Sequence, residues 1–558
     1  VNHRSRLVLL MLVGVVTAAE HGSTVHANSP WAKHGITVHA TSPWKDARGY
    51  TPVIVTASSA EETQLSLRIG FGDASASTVL RLPRGQTVRQ TLLLPPTNYE
   101  WSHLDGLEWT LPDGTGAKVP VINQGAQSRV VLVDPLEAVG LPPLVAILSK
   151  HSGGGPGVTV SDHIKRIAPA DLPSQWQGYP ERMALVLTPA GEAALDDRQR
   201  AAIATWARAG GTLVTTSPAL RELWRGRGID ARNDDLTRDA AELVAALKVL
   251  DWQARWQPQH IPVPGTEAVP VKTFVGLALL FTVVAGPLNL WWVRRRNARH
   301  LFLITTPLVS LATCLVLIIA SLLADGISMK RAAVQVLCLD HRTQQAVRWT
   351  GATYFAAFSQ SSLALDQQAK MRVMDPDPYN YRRRSSLGEA LHLDWSQDQQ
   401  VSGMVLPARR NRQLSFIEPL PERRRLLVEP QGAGWRVTNG LGVAVHSLSW
   451  IDGRRQVWSC SGALGVGDSA PLERGAAAGP EQGAVNHGPA DATADLPAWA
   501  IDRLGPCATL AWAGYRDRPF AFVARLERPL DPLPGPAADD MEPPMVLAFG
   551  ALAPDGVP

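Results

Sequence analysis

The stretch that most restricts what this chain can become lies between residues 273 and 324. Residues 273–293 and 301–324 carry no charged side chain, and the seven residues between them read RRRNARH. A bilayer core of about 30 Å is crossed by about 20 apolar residues in a helix. Both stretches meet that length, so the sequence predicts two transmembrane helices joined by a short loop at 294–300. Arginine-rich short loops stay on the cytoplasmic side. Arg294, Arg295, Arg296 and Arg299 therefore act as topology determinants, and both flanking portions are expected outside. Pro287 and Pro307 fall inside the two stretches and predict kinks, because proline removes a backbone donor.

The first twenty residues, VNHRSRLVLLMLVGVVTAAE, place Arg4 and Arg6 before a short apolar run and small residues after it. That is the grammar of a secretory signal. Residues 1–27 are expected to be a signal peptide and processing region, cut after Ala19 or Ala27. Together with the arginine loop this predicts a bacterial inner (cytoplasmic) membrane protein whose N-terminal and C-terminal portions are periplasmic or otherwise extracytoplasmic.

Just behind that segment the chain repeats itself. HGSTVHANSPWAK at 21–33 is followed by HGITVHATSPWKD at 34–46, with nine of thirteen positions identical. Four histidines in tandem suggest a metal site. Within each copy, however, the pairs His21/His26 and His34/His39 are five apart, and an odd spacing on a strand points the two side chains to opposite faces. Ile36, Val38 and Ala40 share one face. The second copy thus reads as an opening strand, with Trp44 leading into GYTPVIVTA.

Residues 34–126 continue in alternation, as in TQLSLRIGF and STVLRL, broken by turn signals such as PRGQ and PDGTG. Short strands at regular spacing predict a β-sandwich. From 128 to 250 the pattern changes to buried runs (RVVLVD, MALVLTP, TLVTT) alternating with helical segments, which predicts a parallel α/β layer. LDDRQRAAIATWARAGG is a well-marked helix: Asp196 or Asp197 caps its start and Gly210-Gly211 ends it. Residues 326–558 return to strands, with 466–498 (rich in Gly, Ala and Pro) expected as a disordered insertion. The fold class expected is therefore multidomain α/β plus β: an N-terminal β-sandwich, a parallel α/β domain, a two-helix transmembrane hairpin and a C-terminal β-rich domain.

LPSQWQGYPERMALVLTP at 172–189 and LDDRQRAAIATWARAGGTLVTT at 195–216 resemble the class I glutamine amidotransferase-like exterior domain found in uncharacterised bacterial inner-membrane proteins. The resemblance covers roughly residues 128–220, and MVLPARRNRQLSF and VTNGLG resemble the C-terminal exterior part of the same proteins. True amidotransferases of this kind use a cysteine nucleophile with a histidine and a glutamate. This chain has no cysteine before Cys314, so the resemblance implies the fold without the activity.

Other chemistry is sparsely signalled. HSGGGPG at 151–157 lacks the Lys-Ser/Thr of a phosphate-binding loop. Asp134 follows the first buried strand of the α/β layer, where open parallel sheets bind ligands. With Ser152 and His163 it forms the best pocket set. Cys314, Cys338, Cys460 and Cys507 have no zinc-like spacing. Cys460 with Cys507, or Cys338 with either, remain open as disulfides. No cofactor or metal is expected, and a net charge of +4 over 558 residues gives no electrostatic case for nucleic acid. Eighteen tryptophans, more than phenylalanine or tyrosine, read mostly as core anchors, with a carbohydrate-stacking surface as the sharper alternative.

The functional expectation is a non-catalytic membrane-anchored scaffold or accessory subunit of an envelope complex. Its partners would be the lipid bilayer and an envelope protein, such as one of an ATPase or transporter system. The alternatives are a periplasmic hydrolase built on Asp134, Ser152 and His163, and a ligand sensor coupled through the hairpin.

Overall fold

A computed structural model of the chain describes residues 35–44, 49–71, 74–95, 106–123, 130–133, 164–180, 184–227, 229, 261–264, 266, 271–295, 302–325, 328–374, 391–396, 398–460, 462–474 and 520–552. The signal-like segment, the first repeat copy, Asp134, Ser152, His163, Arg296, Arg299 and Cys507 lie outside the described residues.

The first portion is built from β1 (Thr37–Ser42), β2 (Thr51–Ser58), β3 (Thr63–Phe71), β4 (Ala74–Leu82), β5 (Thr87–Leu94), β6 (Leu107–Thr110), β7 (Gly116–Val119) and β8 (Val121–Asn123). Their period-two pattern is literal. In β3, Leu65, Leu67 and Ile69 are buried, while Ser66 and Arg68 are exposed. β5, β2, β1 and β8 form one four-stranded sheet.

The α/β portion contains β9 (Val130–Val133), β10 (Ile164–Ile167), β11 (Ala184–Leu187) and β12 (Thr212–Thr215), with helices α1 (Pro189–Ala193), α2 (Asp197–Arg208) and α3 (Pro218–Gly226). The order is β10-β9-β11-β12, and every pairing is parallel. Asp196 caps α2: its carboxylate accepts from the Gln199 amide at 2.7 Å, and the Gln199 side chain accepts from the Asp196 amide at 3.1 Å. This is a reciprocal capping box. At the far end Gly210 takes φ +100°, a conformation that strains any residue with a Cβ. The chain then doubles back so that the Gly211 amide donates to Trp206 O at 3.0 Å.

The apolar pair of segments folds as α4 (Val271–Val283), a π-helical turn (Val284–Leu288), α5 (Asn289–Arg295) and α6 (Phe302–Asp325). Here the structure corrects the sequence reading: among the described residues, no helix is long and apolar enough to cross a membrane. Pro287 lies inside a π-helical turn of the first stretch. The transmembrane hairpin at 273–293 and 301–324 is therefore unsupported. So is the inner-membrane placement that rested on it.

The last portion holds β13 (Lys330–Asp340), β14 (Gln345–Phe355), β15 (Gln360–Leu365), β16 (Lys370–Met374), β17 (Leu391–Asp394), β18 (Gln399–Leu406), β19 (Asn411–Pro421), β20 (Arg425–Gln431), β21 (Gly434–Gly440), β22 (Val445–Ile451), β23 (Val457–Cys460), β24 (Ser469–Arg474), β25 (Ala521–Leu526), β26 (Asp539–Asp540) and β27 (Met545–Ala551). Most join a large sheet of order β16-β19-β14-β13-β27-β25-β22-β23-β24-β21-β20. β24 lies within the stretch expected to be a disordered insertion; residues 475–498 of that stretch are outside the described residues.

Three of the late strands go elsewhere. β15, β18 and β17 extend the early sheet β4-β3-β6-β7 into a seven-stranded one. The join is parallel, with His392 opposite Ser75 and Asp394 opposite Ser77. The two early sheets and the β14-β16-β19 end of the large sheet bury one common core, with Val53, Leu67, Leu93, Tyr354, Leu393 and Phe416 within it. A second core lies under the parallel sheet and reaches Val347 and Ile417.

Candidate functional site

Two local turns bring the early sandwich, the α/β layer and the late strands together. The first is SQWQG at 174–178, a 3-10 turn (Trp176–Gly178). The second is the tight turn before β16, where Asp366 O accepts from the Ala369 amide at 2.9 Å and the Asp366 carboxylate from the Gln368 amide at 2.7 Å. They meet by two adjacent bonds. Trp176 Nε1 donates to Gln368 O at 3.0 Å, and Gln177 Nε2 donates to Gln367 O at 2.6 Å. β5 completes the junction: Ser174 N donates to Thr91 Oγ1 at 3.2 Å, and Arg89 to Leu172 O at 3.3 Å.

Anchors behind this junction are aromatic. Trp44, from the second repeat copy, is buried and donates through Nε1 to Gly178 O at 2.8 Å. Tyr179 lies between it and Trp206, with centroid separations of 5.7 and 5.6 Å. Burial drives the Tyr179 and Tyr50 hydroxyls far above their ordinary values. Both stay neutral and act as hydrogen-bond groups. Tyr179 OH donates to Pro173 O. Tyr50 OH accepts from the Met371 amide and from Gln399 Nε2. Fully buried Lys370 points its ammonium at Tyr179 O, 3.2 Å away.

In front of the junction lies a groove of about 320 Å³. Its walls are Gln90, Ser174, Gln175, Trp176, Gln177, Arg198, Ala201, Ala202, Thr205, Gln367, Gln368 and Trp395. Five of these are glutamines and only Arg198 is charged; Gln90, Gln177 and Gln367 already donate their amides within the protein, to Thr78 Oγ1, Gln367 O and Asp398 Oδ1. Trp395 is held in place by Nε1 donating to Leu93 O at 2.9 Å and by an edge contact with Tyr50. The Gln175 Oε1 is buried with no hydrogen-bond partner.

A second polar cluster sits on the outward face of the seven-stranded sheet. His392 bridges two serines: Ser75 Oγ lies 2.9 Å from Nδ1 and Ser77 Oγ 3.0 Å from Nε2. Ser77 also donates to Asp394 at 3.4 Å. Burial, followed by nearby Arg68, lowers the His392 pKa and keeps the ring neutral. Burial raises that of Asp394, but bonds from Ser396 and Ser77 outweigh it and hold the carboxyl low. A serine–histidine–aspartate triad needs the carboxylate on the far nitrogen of the base. Here serines sit on both ring nitrogens, and Asp394 binds Ser77 rather than the imidazole, so the cluster is a clamp across the parallel join.

Of the sequence-predicted site residues, Asp134, Ser152 and His163 are outside the described residues. β9 ends at Val133, one residue before Asp134. At that sheet edge Thr188 Oγ1 donates to Val133 O at 3.1 Å and accepts from the Gly191 amide at 3.0 Å. Arg294 and Arg295 end α5, with Arg295 5.0 Å over the Trp291 ring. Cys460 is buried, its Sγ 3.6 Å from Gly462 O. His39, one of the repeat histidines, is solvent-exposed on β1. Among the described residues no group of His, Cys, Asp and Glu could hold a metal ion.

The groove residues escaped the sequence reading. Their signal was faint: two glutamine-bearing turns, SQWQG and DQQAK, separated by about 190 residues, with nothing to show that they meet.

The fold and site together define a β-rich assembly with a small parallel α/β layer and a neutral, amide-lined junction groove. No family model matches the chain, and no curated protein does. Among solved structures, a yeast delta-COP-I mu-homology domain complexed with a Dsl1 WxWxV peptide aligns over 40% of this chain and 95% of its own, at 9% identity and a TM-score of 0.18. That score defines no common fold.

Proposed function

We propose that this protein is a non-catalytic scaffold or accessory subunit of a bacterial envelope complex, attached to its partner through the helical hairpin. One observation carries the reading: among the described residues the hairpin bears large apolar side chains that are mostly solvent-exposed. Leu279 is 63% exposed, Leu303 80% and Leu311 67%, and Ile304, Leu308 and Trp291 are exposed as well. Exposed apolar surface, where it is contiguous, marks an interaction site.

The occupant we propose is a helix pair of a partner subunit, for example one from an ATPase or transporter system. Gly276 and Gly286 face open space, so that a Cβ added to either would meet nothing within 4 Å. Small residues on an apolar helix let a second helix approach closely. The hairpin itself is stitched by Asn289 Nδ2 donating to Thr306 Oγ1 at 3.2 Å. The likeness of residues 172–216 to the nucleophile-free amidotransferase-like domain supports a binding role for the α/β layer.

Crosslinking of the tagged full-length chain in cells, followed by identification of what co-purifies, tests this. A reproducible envelope partner crosslinked at the hairpin is expected. A chain that crosslinks to no protein and floats with lipid vesicles, or one that turns over a hydrolase substrate panel, overturns it.

A further inference from the structure

We propose that Ser75 is an acyl-acceptor serine, activated by His392 and placed to take one acyl group from an activated ester such as a thioester or aryl ester. The residues come from three neighbouring strands of the seven-stranded sheet: Arg68 from β3, Ser75 and Ser77 from β4, His392 and Asp394 from β17. They share its outward face, and each is partly or fully exposed, so a ligand reaches them from solvent.

The bonds that clamp the parallel join also have a direction. Burial opposes ionisation of Asp394, but bonds from Ser396 and Ser77 outweigh it, so the carboxylate is charged and only accepts. Ser77 has one hydroxyl proton and donates it to Asp394, because a charged acceptor draws it more strongly than a neutral ring nitrogen does. Ser77 Oγ is then left to accept from His392 Nε2, 3.0 Å away. That sets the tautomer: Nε2 carries the proton and Nδ1 is the basic nitrogen. Ser75 Oγ lies 2.9 Å from Nδ1 and donates to it. A hydroxyl bonded to an imidazole whose other nitrogen is fixed by a third group is the arrangement that activates a serine nucleophile. Ser77 stands where a triad places its carboxylate, and Asp394 acts one bond further out. Burial, followed by Arg68, keeps the ring neutral, the form that takes a proton. Arg68 also lies opposite Ser77 across the β3–β4 pair. Attack on a carbonyl puts negative charge on its oxygen, and a nearby guanidinium stabilises that charge.

In the transfer, Ser75 Oγ bonds to the acyl carbon as its proton passes to His392 Nδ1. The carbonyl electron pair moves onto oxygen, then returns as the bond to the leaving group breaks. The thiolate or phenolate departs and takes up the proton from Nδ1. Ser75 and His392 touch the reacting atoms, whereas Ser77 and Asp394 are positioning residues. One transfer per chain modifies the protein without turnover. The site stands apart from the hairpin, so a failed partner search leaves it untouched, and its own failure leaves the docking reading untouched.

The test treats the full-length chain with p-nitrophenyl acetate, following p-nitrophenolate release and mapping the acetyl group by peptide mass. A single equivalent of release is expected, with the acetyl group on Ser75. Ser66, exposed on the same sheet face, is the internal control and should stay unmodified. Ser75→Ala should abolish the release. His392→Gln should slow it about 100-fold or more, the usual worth of a general base. Arg68→Gln alters an exposed side chain, so the thermal midpoint should hold while acetylation slows roughly tenfold or more. In Ser77→Ala, nitrogen-15 shifts of the His392 ring should move from one tautomer to a mixture, a change that loss of packing alone does not produce. The proposal is overturned if Ser75 is not acetylated, if Ser66 is acetylated as fast, if release continues past one equivalent, or if the His392 and Arg68 variants both react at the wild-type rate.

Discussion

At the residue scale, the clearest pH-sensitive group is His341. Burial, set against the attraction of Asp340, lowers its pKa from 6.5 to about 4, and its ring stacks on Phe522 at 5.7 Å. The ring is neutral in the folded protein, whereas the unfolded chain protonates it near pH 6.5. The unfolded state then binds more protons as the pH drops. Stability from this group is complete above about pH 6.5 and is lost as the pH falls toward 4. His392, shifted in the same direction, adds to the same loss. Urea midpoints measured from pH 7.5 to 4.5 should fall, and His341→Leu should flatten part of the slope. An unchanged slope would remove His341 from the account. Two glycines make a matched pair at this scale. A Cβ at Gly191 would sit 2.2 Å from Val133 O, whereas one at Gly226 meets nothing within 4 Å. Gly191→Ala should therefore cost about 1–3 kcal/mol through overpacking. Gly226→Ala, at the end of α3, should be neutral or stabilise by up to about 1 kcal/mol. Thermal unfolding of the two variants compares them directly.

At the scale of the element, helix α2 shows what local sequence grammar carries. Asp196, Gln199 and the Gly210-Gly211 stop sit within a turn or two of the groups they satisfy, so their roles can be read without knowing the fold. Asp196→Ala should lose about 1 kcal/mol. Gln199→Leu should lose more, because its buried Nε2 also donates to Pro169 O at 2.7 Å and Leu172 O at 3.0 Å, and those acceptors would be left unpaired. Chemical denaturation of the two variants orders them. The apolar stretch 273–293 shows the limit of the same grammar. Its composition met the length of a span, yet among the described residues no helix is long and apolar enough to cross a membrane, and a π turn around Pro287 interrupts the α-helical hydrogen bonding. Hydropathy does not record such a turn. The strands were legible for the opposite reason: alternation such as Leu65, Leu67 and Ile69 survives any tertiary context that keeps one face buried. Their partners were not legible. β4 and β17 pair across more than 300 residues of chain, and no periodicity records that Ser75 will face His392. The groove shares this property, since Gln90, Gln175, Gln367 and Trp395 become neighbours only through such pairings.

For the whole molecule, the unit of stability is a shared core rather than a string of modules. The early sandwich borrows β15, β17 and β18 from beyond the hairpin, and the core under the α/β layer reaches the large sheet through Val347 and Ile417. Trp44 is the pin between the first two portions, so Trp44→Ala should cost about 3–5 kcal/mol. Hydrogen exchange should show residues 164–180 deprotected along with β1 and β2 in that variant. Faster exchange confined to β1 would mean that the pin is local.

The account turns on the exposed hairpin as the docking element of a scaffold. Its most direct test is quantitative in-cell crosslinking of the full-length chain beside the Leu303→Glu/Leu311→Glu double variant. Both side chains are exposed, so the body should unfold at the same temperature in the two proteins. The partner crosslinks are expected in the wild type and are expected to vanish in the variant. Undiminished crosslinking to the same partner through a charged hairpin would contradict the account.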